Sequence, residues 1–388
     1  MERFAAVERA VRDAPPHALL EAVRDVLATH YTAVSVDLLM ADYAMTTLQP
    51  VSALPYTTEP LPVHGSAPGR AFGSQQPHVE KNAPDGDVIA HFPVSVRGDR
   101  VGVLTVRLPA GRCTPRAEEE LQGVAQLLGR EIVLAERETD LYLQARRTGR
   151  LTLAAEMQWQ LLPGSSSSRP EYEIGAQLEP AYAIHGDNYD WSASADHLTL
   201  TVTNGMGEGV EAALLTNLAI NALRNARRAG LSLADQACLA DQAVHGHYHG
   251  VSHLAVLLLR FDLVTGEVEV VDAGSPRMWR LRQGKAEPIP FEAQLPLGMF
   301  EDTMYSAQRF SVEPGDRLFF LSDGVYDVAS PAGERYGEKA LMRAMTATRL
   351  LPPSQVPRAV LRELAGHRGT EDADDDALVV CLDWRGRR

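Results

Sequence analysis

Acidic and amide side chains gather at four points of the chain: His185-Gly186-Asp187-Asn188-Tyr189-Asp190, Asn204-Gly205-Met206-Gly207-Glu208-Gly209, Ser322-Asp323-Gly324-Val325-Tyr326-Asp327 and Asp372-Ala373-Asp374-Asp375-Asp376. Each falls at the end of a predicted strand or in the loop after it. Carboxylates brought together repel one another unless a cation neutralises them. Oxygen donors of this kind suit magnesium or manganese. Any one of these aspartates alone reads as a turn or cap residue, whereas the set points to a metal site.

Two other groups invite a chemical reading. His245, His247, His249 and His253 lie between a helix ending near Val244 and a strand from Ser252. They have no cysteine or carboxylate partners, which argues against zinc. Arg224, Arg227 and Arg228 could dock an acidic partner, but a helix C-terminus favours basic residues on its own account. Cys113, Cys238 and Cys381 are isolated thiols without the close pairing of a disulfide scaffold or a metal knuckle.

The elements that would position the acidic points are mostly strands. Runs at His197 to Thr203, Ser252 to Asp262, Glu267 to Ala273, Arg317 to Leu321 and Ala377 to Trp384 are bounded by turn signals such as Thr265-Gly266 and Pro314-Gly315-Asp316. Val210 to Ala229 reads as a helix apolar around much of its girth, which implies burial on several sides in a sheet-and-helix sandwich. Upstream, residues 17–30 read as a helix and Val34 to Met40 as a half-buried strand. His91 to Val106 reads as a hairpin about Gly98-Asp99. A helix opens at Thr114 and carries an apolar stripe at Leu121, Val124, Leu128 and Ile132, extended with a slipped phase through Leu141, Leu151, Ala154, Met157 and Leu161. Two readings stay open for it: a signalling helix that pairs with a second chain, or a helix packed on its own domain.

Length and charge bound the rest. A chain of 388 residues exceeds what one core usually supports. With 37 basic against 51 acidic residues the net charge is −14, which argues against nucleic acid or an anionic membrane as partner. The longest apolar run, Leu254 to Leu259, is far short of the roughly 20 residues that cross a bilayer. The charged amphipathic N-terminus, Met1 to Arg9, has no secretory apolar core, so the expected compartment is the cytoplasm.

From Leu153 to about Trp384 the motifs, in order and spacing, resemble those of the PPM-family serine/threonine phosphatases of the SpoIIE/RsbU type. The matching segments are "AAEMQWQLLP", "EPAYAIHGDNYDW", "NGMGEGVEAALLT", "LPLG" at Leu295 to Gly298, "PGDRLFFLSDGVYD" and "DDDALVVC". The resemblance implies an α-β-β-α sandwich, one or two manganese or magnesium ions, and a phosphorylated STAS-domain anti-anti-sigma protein as substrate and partner. It also implies site roles: Asp187 and the Gly205 carbonyl on one ion, Asp323 and Asp374 on the other with Asp375 as the register alternative, and position 204 as the bridge. Three positions depart from the family pattern. Asn204 stands where the family carries aspartate, His185 replaces a glycine and is a possible auxiliary group together with Glu208, and Ser275 replaces a histidine. An amide supplies one good ligand oxygen and no charge, so the second ion is weakened.

The first unit resembles a GAF domain in its opening helix, its hairpin and its closing helix, which implies small-molecule sensing or dimerisation. The expected layout is α/β throughout: a GAF-like domain at 1–135, a helical linker at 136–163 through which a homodimer would form, and a phosphatase domain at 164–388. A weakened phosphatase and a catalytically inactive scaffold that binds a partner are both open readings of Asn204, and ligand sensing through the first domain is a third.

Overall fold

Period-two and period-3.6 apolar patterns alternate along the chain in a computed structural model that describes residues 2–51, 60–80, 86–147, 151–180, 184–274, 276–331, 333, 336–369 and 373–387, with main chain only at 338. Contacts divide the protein into two units, Met1–Arg150 and Leu151–Arg388.

The first unit is built on an antiparallel sheet of six strands in the order Leu61–Pro62, Thr47–Pro50, Ser35–Ala41, Asp99–Pro109, Asp87–Val96, His78–Glu80. Side-chain alternation sends Val36, Leu38 and Met40 to one face and Leu39 and Ala41 to the other. The first face is covered by the helices Glu2–Asp13, Leu19–Tyr31 and Pro115–Ala135, and the second meets the short helix Ala67–Ser74 through Ala71 and Phe72. Thr114 starts the long helix because its hydroxyl accepts the Ala117 N–H at 3.2 Å and Pro115 occupies the first turn.

That helix decides between the two readings of the apolar stripe. Leu121, Val124, Leu128 and Ile132 are each fully buried among residues of their own sheet and helices. The stripe is therefore consumed within the unit and is not available to pair with a second chain. Nor does the helix run on as a linker over 136–163. It ends at Ala135, and the short helices Leu141–Ala145 and Leu153–Leu161 follow. The first of these is tied down by Tyr142, which is buried and donates its hydroxyl to the Pro16 carbonyl at 2.9 Å.

The second unit has four layers. One antiparallel sheet runs Gln308–Ser311, Glu267–Ala273, Ala255–Asp262, His197–Asn204, Asn188–Ala193, and the other runs Lys285–Pro288, Arg277–Arg282, Arg317–Leu321, Ala377–Trp384, Tyr172–Glu179, Ser166–Ser168. Their facing sides form one core, in which Leu198, Leu200, Val202, Leu257, Leu259 and Phe261 meet Ile174, Leu178, Leu318, Phe320, Leu378 and Val380. The alternate residues face outward and are covered as well. Val256, Leu258 and Val271 pack with Leu223 and Leu233 of the helices Gly209–Arg228 and Leu233–Tyr248. Phe319, Val379 and Cys381 pack with Leu341, Met345, Val360 and Leu364 of Gly337–Ala347 and Val356–Arg368. Strands covered on both faces read as near-continuous apolar runs rather than strict alternation. Among the described residues no helix is long and apolar enough to cross a membrane.

Candidate active site

Strands from both sheets end at the same place. Asn204 closes the strand His197–Asn204, Asp187 precedes Asn188–Ala193, Asp323 opens a short helix one residue after Arg317–Leu321, and Asp376 precedes Ala377–Trp384. Pairing sets the relative heights: Thr203 lies opposite Asn188, and Leu321 opposite Val379. Two glycines make the convergence possible. A Cβ on Gly205 would meet the His185 carbonyl oxygen at 1.9 Å, and one on Gly324 would meet that of Asp376 at 2.0 Å. Each motif glycine is thus a close approach of two chain segments.

Asp187 lies at the centre. It is fully buried; its Oδ1 accepts the Gly205 N–H at 3.1 Å, and its Oδ2 has no hydrogen-bond partner among the described residues. Burial pushes its carboxyl well above the usual carboxylate range, and the charges of Asp376 and then Asp375 push the same way. The Ser322 hydroxyl and the Gly205 N–H draw it back down, the former without closing a bond to Oδ2. Asp375 is also raised, to about 6, by burial and by the Asp323 charge, against the pull of His185. His185 Nδ1 stands 3.8 Å from Asp375 Oδ1. Carboxylates that raise one another in this way are relieved by a cation.

The remaining expected residues are placed unevenly. Asn204 is buried at 8% exposure, Asp323 is half-buried, and Asp374 and Glu208 are exposed. Ser275 and Asp372 lie outside the described residues. The sequence left the register open between Asp374 and Asp375; Asp375 faces Asp323 and His185, while Asp376, fully buried, faces Asp187. Asp376 and its partner Gln158 are the residues that sequence reasoning missed. The signal available for Asp376 was the inward phase of Leu378, Val380 and Leu382, which fixes where the strand begins. Among the described residues no group of three or more His, Cys, Asp and Glu side chains could hold an ion as it stands. The donor chemistry, with the buried and unpartnered Asp187 Oδ2 beside further carboxylates, fits a hard divalent cation.

The arginines and histidines resolve into structural roles. Asp190, buried, is gripped by Arg224 and Arg227, and Arg224 also donates to the Leu161 carbonyl at 2.7 Å. His245 and His247 are in the last turn of the helix Leu233–Tyr248 rather than in a connection, and His249 caps it in the left-handed conformation. His245 Nδ1 lies 3.3 Å from the Gly298 carbonyl.

Residues 194–385 match the family model described as Stage II sporulation protein E (SpoIIE). The chain carries a SpoIIE domain. Over 257 residues it is 24% identical to Protein IcfG of Synechocystis, covering 58% of this chain and 40% of IcfG. To phosphoserine phosphatase RsbU of Bacillus subtilis it is 21% identical over 208 residues, covering 53% of this chain and 62% of RsbU. The chain thus spans about half the length of the curated relatives it matches. Over part of its length the chain is similar in fold to the structure of the RsbU and RsbW domains of Rv1364c from Mycobacterium tuberculosis, with a TM-score of 0.50, 24% identity, and coverage of 56% of this chain and 61% of that one. The four-layered α-β-β-α arrangement of the SpoIIE domain agrees with the expectation from its motifs.

Proposed function

We propose that the SpoIIE domain is a metal-dependent phosphoserine/phosphothreonine protein phosphatase, weakened by Asn204, that acts on a STAS-type partner in a partner-switching pathway. The observation that carries the reading is Asp187: a fully buried carboxylate with an unpartnered oxygen, at the meeting point of the strand ends of a SpoIIE fold. Asp187, Asp323 and Asp375 are the residues that would hold manganese or magnesium, with the exposed Asp374 as the register alternative. When bound, such an ion supplies the positive charge that polarises a phosphoryl oxygen and lowers the pKa of water. The chain itself orients Asp187 through the Gly205 N–H, and His185 beside Asp375 is placed to hold or release a proton. Relatives named as phosphoserine phosphatases, RsbU and RsbP, support the substrate class.

A second reading, a non-catalytic scaffold that binds the phosphorylated partner without hydrolysis, is favoured by Asn204 alone, since the amide lacks the charge a bridging group needs. For the first unit we propose a GAF-like sensor, on the strength of its six-stranded antiparallel sheet with three helices on one face and the short helix Ala67–Ser74 on the other. Manganese-dependent hydrolysis of a small aryl phosphate and of a phosphoserine peptide separates the two readings. Hydrolysis lost in Asp187→Asn supports the enzyme. Binding of the phosphopeptide with no turnover at millimolar manganese establishes the scaffold.

A further inference from the structure

Both main-chain polar groups of Asp187 are held from outside its own strand. The N–H groups of His185, Gly186 and Asp187 all donate to one oxygen, Asp376 Oδ2, at 3.0, 3.0 and 3.3 Å. Gln158 Nε2 donates to that same oxygen at 2.9 Å and to the Asp187 carbonyl at 2.9 Å. Successive N–H groups turned onto one point make a concave anion seat. Gly186 provides the turn, with φ of +93°, and its carbonyl is held by the Thr216 hydroxyl at 2.7 Å. The acceptor and its neighbours are buried, Asp376 and Asp187 at 0% exposure and Gln158 at 3%, while His185 is half-buried.

Asp376 is a second buried carboxylate held against the loop that presents Asp187. A carboxylate has one capacity a neutral side chain lacks, which is to take several charge-assisted bonds on one oxygen. The bonds made here all converge on the loop that presents Asp187 and on the helix Leu153–Leu161, which carries Gln158.

We propose that Asp376 and Gln158 are positioning residues for the candidate metal site: together they fix the main chain at 185–187 so that the Asp187 carboxylate faces the site. The proposal rests on the phosphatase reading of that site, but the hold on the loop is measurable with no ion present. Gln158 must be a donor toward Asp376, so Gln158→Glu sets two carboxylates against each other. Gln158→Met removes the donor to Asp376 Oδ2 and to the Asp187 carbonyl without adding a charge.

The experiment uses the full chain, with hydrogen–deuterium exchange over a peptide covering 184–190 and calorimetric titration with manganese. Gln158→Glu and Asp376→Asn should each speed exchange of the loop amides about tenfold or more and weaken manganese binding about 10- to 100-fold, the usual effect of losing a group that orients a ligand. Gln158→Met should speed exchange in the same direction. Unchanged exchange in the single variants overturns the proposal, whatever happens to manganese. Faster exchange with unchanged manganese affinity overturns the positioning role. If the unmodified chain takes up no manganese, the phosphatase reading falls and exchange alone judges the hold. Should Asp376→Asn not fold, Gln158→Met, which removes only the donor, carries the same comparison.

Discussion

Arg224 and Asp190 lie 2.8 Å apart between the helix Gly209–Arg228 and the strand Asn188–Ala193, with Arg227 on the other carboxylate oxygen at 2.9 Å. Because Arg224 also holds the Leu161 carbonyl, this cluster joins three elements around the candidate site. Removing one member of a buried ion pair leaves the others desolvated and unpaired. Asp190→Ala should therefore destabilise the SpoIIE domain by about 3–5 kcal/mol, read from urea unfolding. A loss below about 1 kcal/mol, the range of exposed pairs, would show that the arginines find water instead.

Position 204 offers the most direct test of the enzyme reading. Asn204→Asp restores a negative charge at the buried end of the strand His197–Asn204. Manganese affinity should rise, and hydrolysis of a small aryl phosphate should climb about tenfold or more, equal to about 1.4 kcal/mol of barrier. Asp323→Asn in the same background should cancel the gain. An unmodified chain that already turns over at about 1 per second, with Asn204→Asp no faster, would mean that a neighbour such as His185 or Glu208 completes the site.

Gly205→Ala tests whether the strand ends must touch. The new methyl group would sit 1.9 Å from the His185 carbonyl oxygen, so one of the two segments must move. We expect a loss of about 1–3 kcal/mol, typical of overpacking, together with loss of manganese uptake in calorimetry. Uptake at the unmodified affinity would show that the loop at 185–187 can retreat without disturbing Asp187.

In the first unit, Leu128→Ala should cost about 2–5 kcal/mol, since the side chain is fully buried in its own core. The mass from light scattering should not change with this substitution. A variant of unchanged stability but altered oligomeric state would return the stripe to an interchain role.

Asp272, half-buried near the end of the strand Glu267–Ala273, gives a pH prediction away from the site. Burial pushes its carboxyl up from 3.8 to about 6, and the Gly274 N–H offsets this only in part. The folded chain therefore binds this proton more tightly than the unfolded chain. Its contribution to stability is complete below about pH 4 and declines as pH rises to about 6. Asp272→Asn, neutral throughout, should remove that part of the pH slope and raise the melting temperature at pH 7 by about 2 °C. Parallel pH profiles for the two proteins would refute the assignment.

How much of this was legible in the chain varies with the kind of contact involved. The strands Arg317–Leu321 and Ala377–Trp384 are recognisable in the sequence because they are largely apolar on both faces, and Glu267–Ala273 because it begins with alternating glutamate and valine; turn residues bound them. The glycine and aspartate motifs at their ends are equally visible, since close approach admits only glycine at 205 and 324. Strands such as Asn188–Ala193 and Arg277–Arg282 were harder to see, because their mixed polar sequences become strands through pairing partners far along the chain.

The sequence by itself determined the layered α/β class and the likeness to the SpoIIE domain. Tertiary structure decided the rest. In a run of three aspartates, composition cannot say which is buried, and only the register of Ala377–Trp384 against Tyr172–Glu179 puts Asp376 beside Asp187 and leaves Asp374 in solvent. An apolar stripe at 3.6-residue spacing is the same whether it meets another chain or its own sheet, and only packing assigns Leu121 to Ile132 to the latter. Gln158 carried no signal at all, because its bond to Asp376 joins residues 218 positions apart. Such a contact exists only once both sheets and the helix Leu153–Leu161 have assembled.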